Sequence, residues 1–330
     1  MLSDIPKLFD KNFAIGYLIP SLGLLLGIQG LLSAFGIASL PGFLTETNLV
    51  IGSAIVALLG WLVGVVLAAT NRDIIRFLEG YGDYNPLWVL LPLQKKYFND
   101  LEVMIVELED KHPHRTEKEE DRLNELFQEQ VTNLPDKEKW LLPTSFGNAI
   151  RAFEVYPRLM YGVDSIALWP RMLAVIPAEY KAHINDAKAH MDFWINLVVS
   201  TLLLLLSSLM MRIYSYYNQI AVNDLLFWLL IAVEVLLIAL FQYRAKRSAI
   251  GWGQTVKSAF DLYLPDLAAR IGLKVPDTRE GQKKMWENYG IAILYARQDL
   301  MPELAKPGNG TEDSAREGIL SRIIKLLFGG

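Results

Sequence analysis

Four long apolar runs limit what this chain can fold into more than any other feature. A helix needs about 20 mainly apolar residues to cross a hydrocarbon layer of roughly 30 Å. Four segments reach that length, at about 13–37, 49–70, 193–211 and 225–243. The first two hold no charge, and the fourth holds one, Glu234, at its centre. The chain therefore reads as an all-α polytopic membrane protein. The first run is too long for a signal peptide, lacks a net positive flank and shows no small-x-small cleavage site, so it reads as a span.

Lys and Arg beside the runs set the expected orientation. The connection at about 38–48 has neither, and the one between spans three and four has only Arg212. Arg72, Arg76, Lys95 and Lys96 follow span two, and Arg244, Lys246 and Arg247 follow span four. This asymmetry predicts cytoplasmic termini and a cytoplasmic 71–192. Tyr17, Tyr214, Tyr216, Tyr217, Trp228 and Tyr243 read as interface markers. The expected parts are a hairpin over 1–70, a helical cytoplasmic domain over 71–192, a second hairpin over 193–243 and a cytoplasmic helical tail over 244–330.

Composition narrows the possible chemistry. Cysteine is absent, which excludes disulfides and thiolate metal sites. A net charge of −4 argues against bulk affinity for nucleic acid while leaving room for a local basic pocket. Residues 71–192 hold 15 basic and 21 acidic side chains, whereas 244–330 hold 14 and 10, so an acidic middle faces a basic tail. No segment carries a catalytic or cofactor signature, and no enzyme activity, cofactor or metal is expected. His112 and His114, with Glu117, read as a charged linker.

Small and polar residues within the runs suggest how the spans meet. Gly23 and Gly27 in span one, and Gly60 and Gly64 in span two, match the G-x-x-x-G spacing that lets helix backbones approach in lipid. They predict a tight contact between those spans, or an oligomer contact. Span three offers Ser200, Thr201, Ser207 and Ser208. A carboxyl at mid-membrane costs roughly 2.5–3.5 kcal/mol, so Glu234 should face protein or water. Two arrangements fit: a ring of Glu234 lining a pore with those hydroxyls, or a protonated Glu234 bonded to a hydroxyl of span three.

The polar regions read as helices. Two are expected over 92–133, the second opened by a Thr116–Glu119 capping pattern and packed through Leu123, Leu126, Phe127 and Val131. Pro177 should open a helix running unbroken over 178–213 into span three. Further helices are expected at 260–273 and 286–300, and a last amphipathic one carries Ile319, Ile323, Leu327 and Phe328. Between 143 and 192, Arg151, Arg158 and Arg171 lie near Glu154 and Asp164 among aromatic residues. They fit either a buried ion-pair network or an anion site for a phosphate-bearing ligand.

The string Pro143-Thr144, Gly147-Asn148, Arg151, Glu154, Arg158, Tyr161-Gly162, Asp164 and Trp169-Pro170-Arg171 resembles a group of uncharacterised bacterial four-span membrane proteins. So does Phe260-Asp261-Leu262-Tyr263-Leu264 with Gly272-Leu273, Pro276 and Thr278. In plan and size the chain also resembles membrane effectors of bacterial anti-phage defence, particularly the tetrameric channel of the two-gene Hailong type. That resemblance implies a homo-oligomer, with a tetramer favoured, held shut by DNA oligomers from an operon-encoded nucleotidyltransferase. The expected function is an ion channel gated through its cytoplasmic domain. The alternative is a membrane-anchored scaffold that recruits a soluble partner.

Overall fold

The computed structural model describes residues 10–36 and 49–304, with side chains from 51 onward in the second stretch. The expected amphipathic helix near the C terminus and the connection at 38–48 lie outside the described residues. Regular structure among the described residues is helical, apart from one isolated bridge between Leu273 and Leu304. Four helices are long and apolar enough to cross a membrane: α1 (Lys11–Ala34), α2 (Leu49–Glu79), α7 (Ala178–Tyr217) and α8 (Asp224–Ile271). Between them lie α3 (Leu91–Glu109), α4 (Glu117–Asn133), α5 (Ser145–Tyr161) and α6 (Ser165–Val175), and α9 (Arg279–Tyr295) follows. The described residues divide between two compact units, those within 1–160 and 176–262, and those within 161–175 and 263–330.

In the first unit the apolar helices pack through small residues, but not in the pairing expected. The carbonyl of Gly60 accepts a hydrogen bond from Ser21 of α1 at 2.8 Å. A Cβ on Gly64 would lie 3.2 Å from Ser21 Oγ and 3.3 Å from Phe13 Cζ, so both glycines of α2 face α1. Gly27 of α1 instead faces Leu204 of α7, and Gly23 has open space beside it. The G-x-x-x-G spacing in α1 therefore forms no paired glycine face with α2. At the far end Leu31 and Phe35 pack on Phe227 of α8, supported by Leu204, Met211 and Leu230.

Helix α1 changes its winding at Ala14–Leu18, which is a π-turn. Pro20 causes this locally, because it has no N–H to offer the Gly16 carbonyl four residues back and its ring crowds that carbonyl. Asn196 Nδ2 of α7 donates to that same Gly16 carbonyl at 2.8 Å.

Helix α7 begins immediately after Pro177 and runs to Tyr217 without a break, as the sequence predicts. At 1.5 Å per residue its 40 residues extend about 60 Å, twice the hydrocarbon thickness. Helix α8 corrects the expected organisation. The separate helix predicted over 260–273 is the last stretch of one continuous helix, since Gly251 and Gly253 do not break it and Pro265 lies within it.

Helices α3 and α4 form a hairpin. Phe98, Leu101, Ile105, Leu123, Leu126, Leu134 and Leu141 make its core, each contributing roughly 1.5–3 kcal/mol by burial. Of the predicted face of α4, Phe127 and Val131 remain exposed. The capping box forms as expected. The Thr116 hydroxyl accepts from the Glu119 amide, and the Glu119 carboxylate accepts from the Thr116 amide at 3.0 Å. The Lys111 ammonium and these Thr116 donors hold the Glu119 carboxyl down at about 2. The folded value lies below the unfolded one, so this contribution is complete above about pH 4.5 and is lost as pH falls toward 2. Protection factors of the Glu119 and Glu120 amides, taken against intrinsic exchange at each pH, should therefore fall over that window, and a Glu119→Gln variant should show no such fall.

In the second unit, Asp164 caps α6 by accepting from the Ala167 amide at 2.9 Å. Gly162 turns the chain at φ +76° against Lys283 of α9.

Candidate functional site

The start of the 143–192 stretch forms a structural joint with the end of α2. Helix α2 ends in a Schellman turn, with Gly80 at φ +102°, Tyr81 N–H donating to the Arg76 carbonyl and Gly80 N–H to that of Phe77. Thr144 Oγ1 donates to the Leu78 carbonyl at 2.8 Å and accepts from Gly147 N–H at 2.9 Å. One hydroxyl thus joins the end of α2 to the start of α5. Gly147 allows the approach, because a Cβ there would lie 2.5 Å from the Glu79 carbonyl oxygen and 2.9 Å from its Cα. Asn148, fully buried, exchanges hydrogen bonds with the backbone of Leu142 at 2.7 and 2.9 Å and donates to Gln94 at 3.0 Å.

This joint assembles a charged cluster that differs from the expected one. Arg151 pairs with Glu154 at 3.3 Å and donates to the Tyr81 hydroxyl. Arg76 stacks over the Tyr81 ring at 4.3 Å. Burial pushes the Tyr81 phenol up, against the opposing pull of the Arg151 charge. Glu79, only 6% exposed, lies within the field of Glu154, Arg76 and Arg151. The other expected members are held elsewhere. Arg158 lies over the Trp140 ring at 5.8 Å, Arg171 donates to the Ala167 carbonyl of its own helix, and Asp164 is the cap described above. Glu154 is the partner the sequence offered for Arg151, whereas Tyr81 follows the end of α2, which nothing in the 143–192 stretch could indicate.

The expected intramembrane residues divide similarly. Glu234 is 4% exposed, and its Oε1 accepts from Ser208 Oγ of α7 at 2.8 Å. Its Oε2 has no hydrogen-bond partner among the described residues. Within one chain this is the second of the two arrangements foreseen, a carboxyl bonded to a span-three hydroxyl. Ser200 points to the Pro20 carbonyl of α1 at 3.4 Å, while Thr201 and Ser207 donate to carbonyls one turn back in α7. The four hydroxyls therefore do not share one face.

A third site was not visible in the sequence. Asp192 of α7 is 3% exposed and takes four hydrogen bonds from three side chains. Lys188, one turn back, donates at 2.7 and 2.9 Å, Tyr17 donates at 2.8 Å and Asn71 at 3.1 Å. Gly16, in the π-turn, comes within 3.5 Å (from a notional Cβ) of the Asp192 Cβ and the Ala189 carbonyl. Tyr17, read from the sequence as an interface marker, is a half-buried donor to this site. The site places the start of the α1 span, the end of the α2 span and the start of the α7 span on one face of the bundle. Arg244, stacked 4.9 Å over Trp194, places the end of the α8 span on that face too. The only sequence signal was Lys188 and Asp192 four apart, immediately before an apolar run.

Among the described residues, no group of three or more His, Asp or Glu side chains is placed to hold a metal ion. No protein-family model, curated protein or solved structure matches the chain.

Proposed function

We propose that this protein is a homo-oligomeric ion channel of a bacterial inner membrane, with α7 and α8 facing a shared axis and the polar region 71–192 acting as its cytoplasmic gate. One observation carries the reading. The buried Glu234–Ser208 pair links two helices that both continue unbroken beyond their apolar stretches. A mid-membrane carboxyl costs roughly 2.5–3.5 kcal/mol to insert, which a purely anchoring span has no need to carry. Of the four spans, that of α8 is the least buried within one chain, which leaves it available to neighbouring copies. In the closed state Ser208 withdraws the carboxyl, and movement of α7 driven from its polar half releases it to the conduction path. The resemblance to anti-phage effectors adds a tetramer, a DNA oligomer as the closing ligand and an operon-encoded nucleotidyltransferase as its source.

Planar-bilayer recording with purified protein tests this reading. The protein is expected to pass cation-selective current that oligonucleotides suppress, and Glu234→Gln should move the reversal potential toward that of a non-selective pore. Unchanged selectivity in Glu234→Gln would remove the residue from the conduction path. A monomeric particle that never passes current would overturn the channel and favour the membrane-anchored scaffold.

A further inference from the structure

The geometry points to a binding site for the phosphate of an anionic lipid headgroup in the groove between α4 and α8. The groove has a volume of about 500 Å³, within the range of small-molecule sites. Its α8 wall carries Lys246, Arg247 and Gln254, and its α4 wall carries Gln128 and Thr132. These side chains supply two cationic donors, two amides and a hydroxyl, a set suited to phosphate oxygens. Neither Lys246 nor Arg247 forms a salt bridge among the described residues. The one carboxylate in the wall, Glu129, accepts from the Tyr97 hydroxyl of α3 and keeps its charge, which acts on Lys246, so two cations against one acid leave the lining net positive by one.

Depth identifies the source of the phosphate. Tyr243 is the last residue of the apolar run 225–243 and also lines the groove. Lys246 and Arg247 follow it by three and four residues, about 4.5–6 Å along the helix axis. Arg247 folds back to within 5.7 Å of the Tyr243 ring centroid, in the layer where aromatic side chains meet headgroups. Basic pockets at this level, between helices leaving a bilayer, suit anionic headgroups. A soluble phosphate ester shares the chemistry but has no need of a site at that depth. The site rests on α8 crossing the membrane, not on the chain conducting ions.

The full chain, purified in a neutral detergent, is titrated with dihexanoyl-phosphatidylglycerol, dihexanoyl-phosphatidylcholine or inorganic phosphate while its thermal unfolding is followed. Phosphatidylglycerol is expected to raise the unfolding midpoint saturably, well beyond the response to the other two. The double variant Lys246→Gln/Arg247→Gln should need about tenfold more of it for half-saturation. Lys96→Gln/Lys118→Gln, which removes the same charge from exposed positions outside the groove, should titrate as the wild type does. Equal responses to the two lipids, or an unaltered titration of the groove variant, overturn the proposal. An equal response to inorganic phosphate, lost in the groove variant, overturns the lipid as the source and assigns the groove to a soluble phosphate ester.

Discussion

Replacing Asp192 with alanine is expected to lower the unfolding free energy by about 3 kcal/mol, measured by reversible unfolding in mixed micelles. The carboxylate is 3% exposed and satisfies Lys188, Tyr17 and Asn71 together. Its removal strands a partly buried ammonium, a phenol and an amide at a point where three helices meet. Stranding buried donors costs more than the intact hydrogen bonds contribute, because each has already left water. The expected figure sits at the low end for a broken buried pair because the Lys188 side chain is 35% exposed and recovers some hydration. Asp192→Asn keeps an acceptor of similar shape and should lose roughly half as much. In a double-mutant cycle, Lys188→Met in the Asp192→Ala background should cost clearly less than Lys188→Met alone. Strict additivity would show that the two side chains act independently and would sink this account of the site.

The second large effect is expected at the joint between α2 and α5. Gly147→Ala should destabilise by about 3 kcal/mol, the upper end for an added methyl in a packed site. The new Cβ would meet the carbonyl oxygen and Cα of Glu79, which are backbone atoms fixed by the Schellman turn. No side chain can swing away to make room. Gly251, in α8, has nothing within 4 Å of a notional Cβ, so Gly251→Ala should be neutral or stabilise by up to about 1 kcal/mol. Unfolding midpoints of the two variants, measured together, check the contrast. Equal midpoints would mean that α2 and α5 are not held as closely as the structure places them.

Both sites show where sequence reading stopped. Asp192 looked like one more acid in a charged stretch, because its partners Tyr17 and Asn71 lie 175 and 121 residues away. The Pro143–Asn148 string stood out, and its residues do make the joint, yet beside the expected Glu154 Arg151 also meets Tyr81, which follows the end of α2. Arg158, Arg171 and Asp164 looked equivalent by proximity in sequence but are held by Trp140, by a helix's own backbone and by a capping amide. Ser208 was one of four candidate hydroxyls in its run. Only the rotation of α7 against α8 selects it for Glu234.

The sequence by itself determined the four membrane-length helices, the Thr116 cap and the unbroken passage from Pro177 into an apolar span. Each depends on hydropathy, helix propensity or capping within a few turns, and these are written along the chain. Tertiary structure alone decided which glycine faces which helix, which hydroxyl reaches the mid-membrane acid and which side chains surround Asp192 and Arg151. Those choices depend on how each helix is rotated about its axis. That rotation is fixed by close contacts among residues far apart in sequence, so no local pattern encodes it.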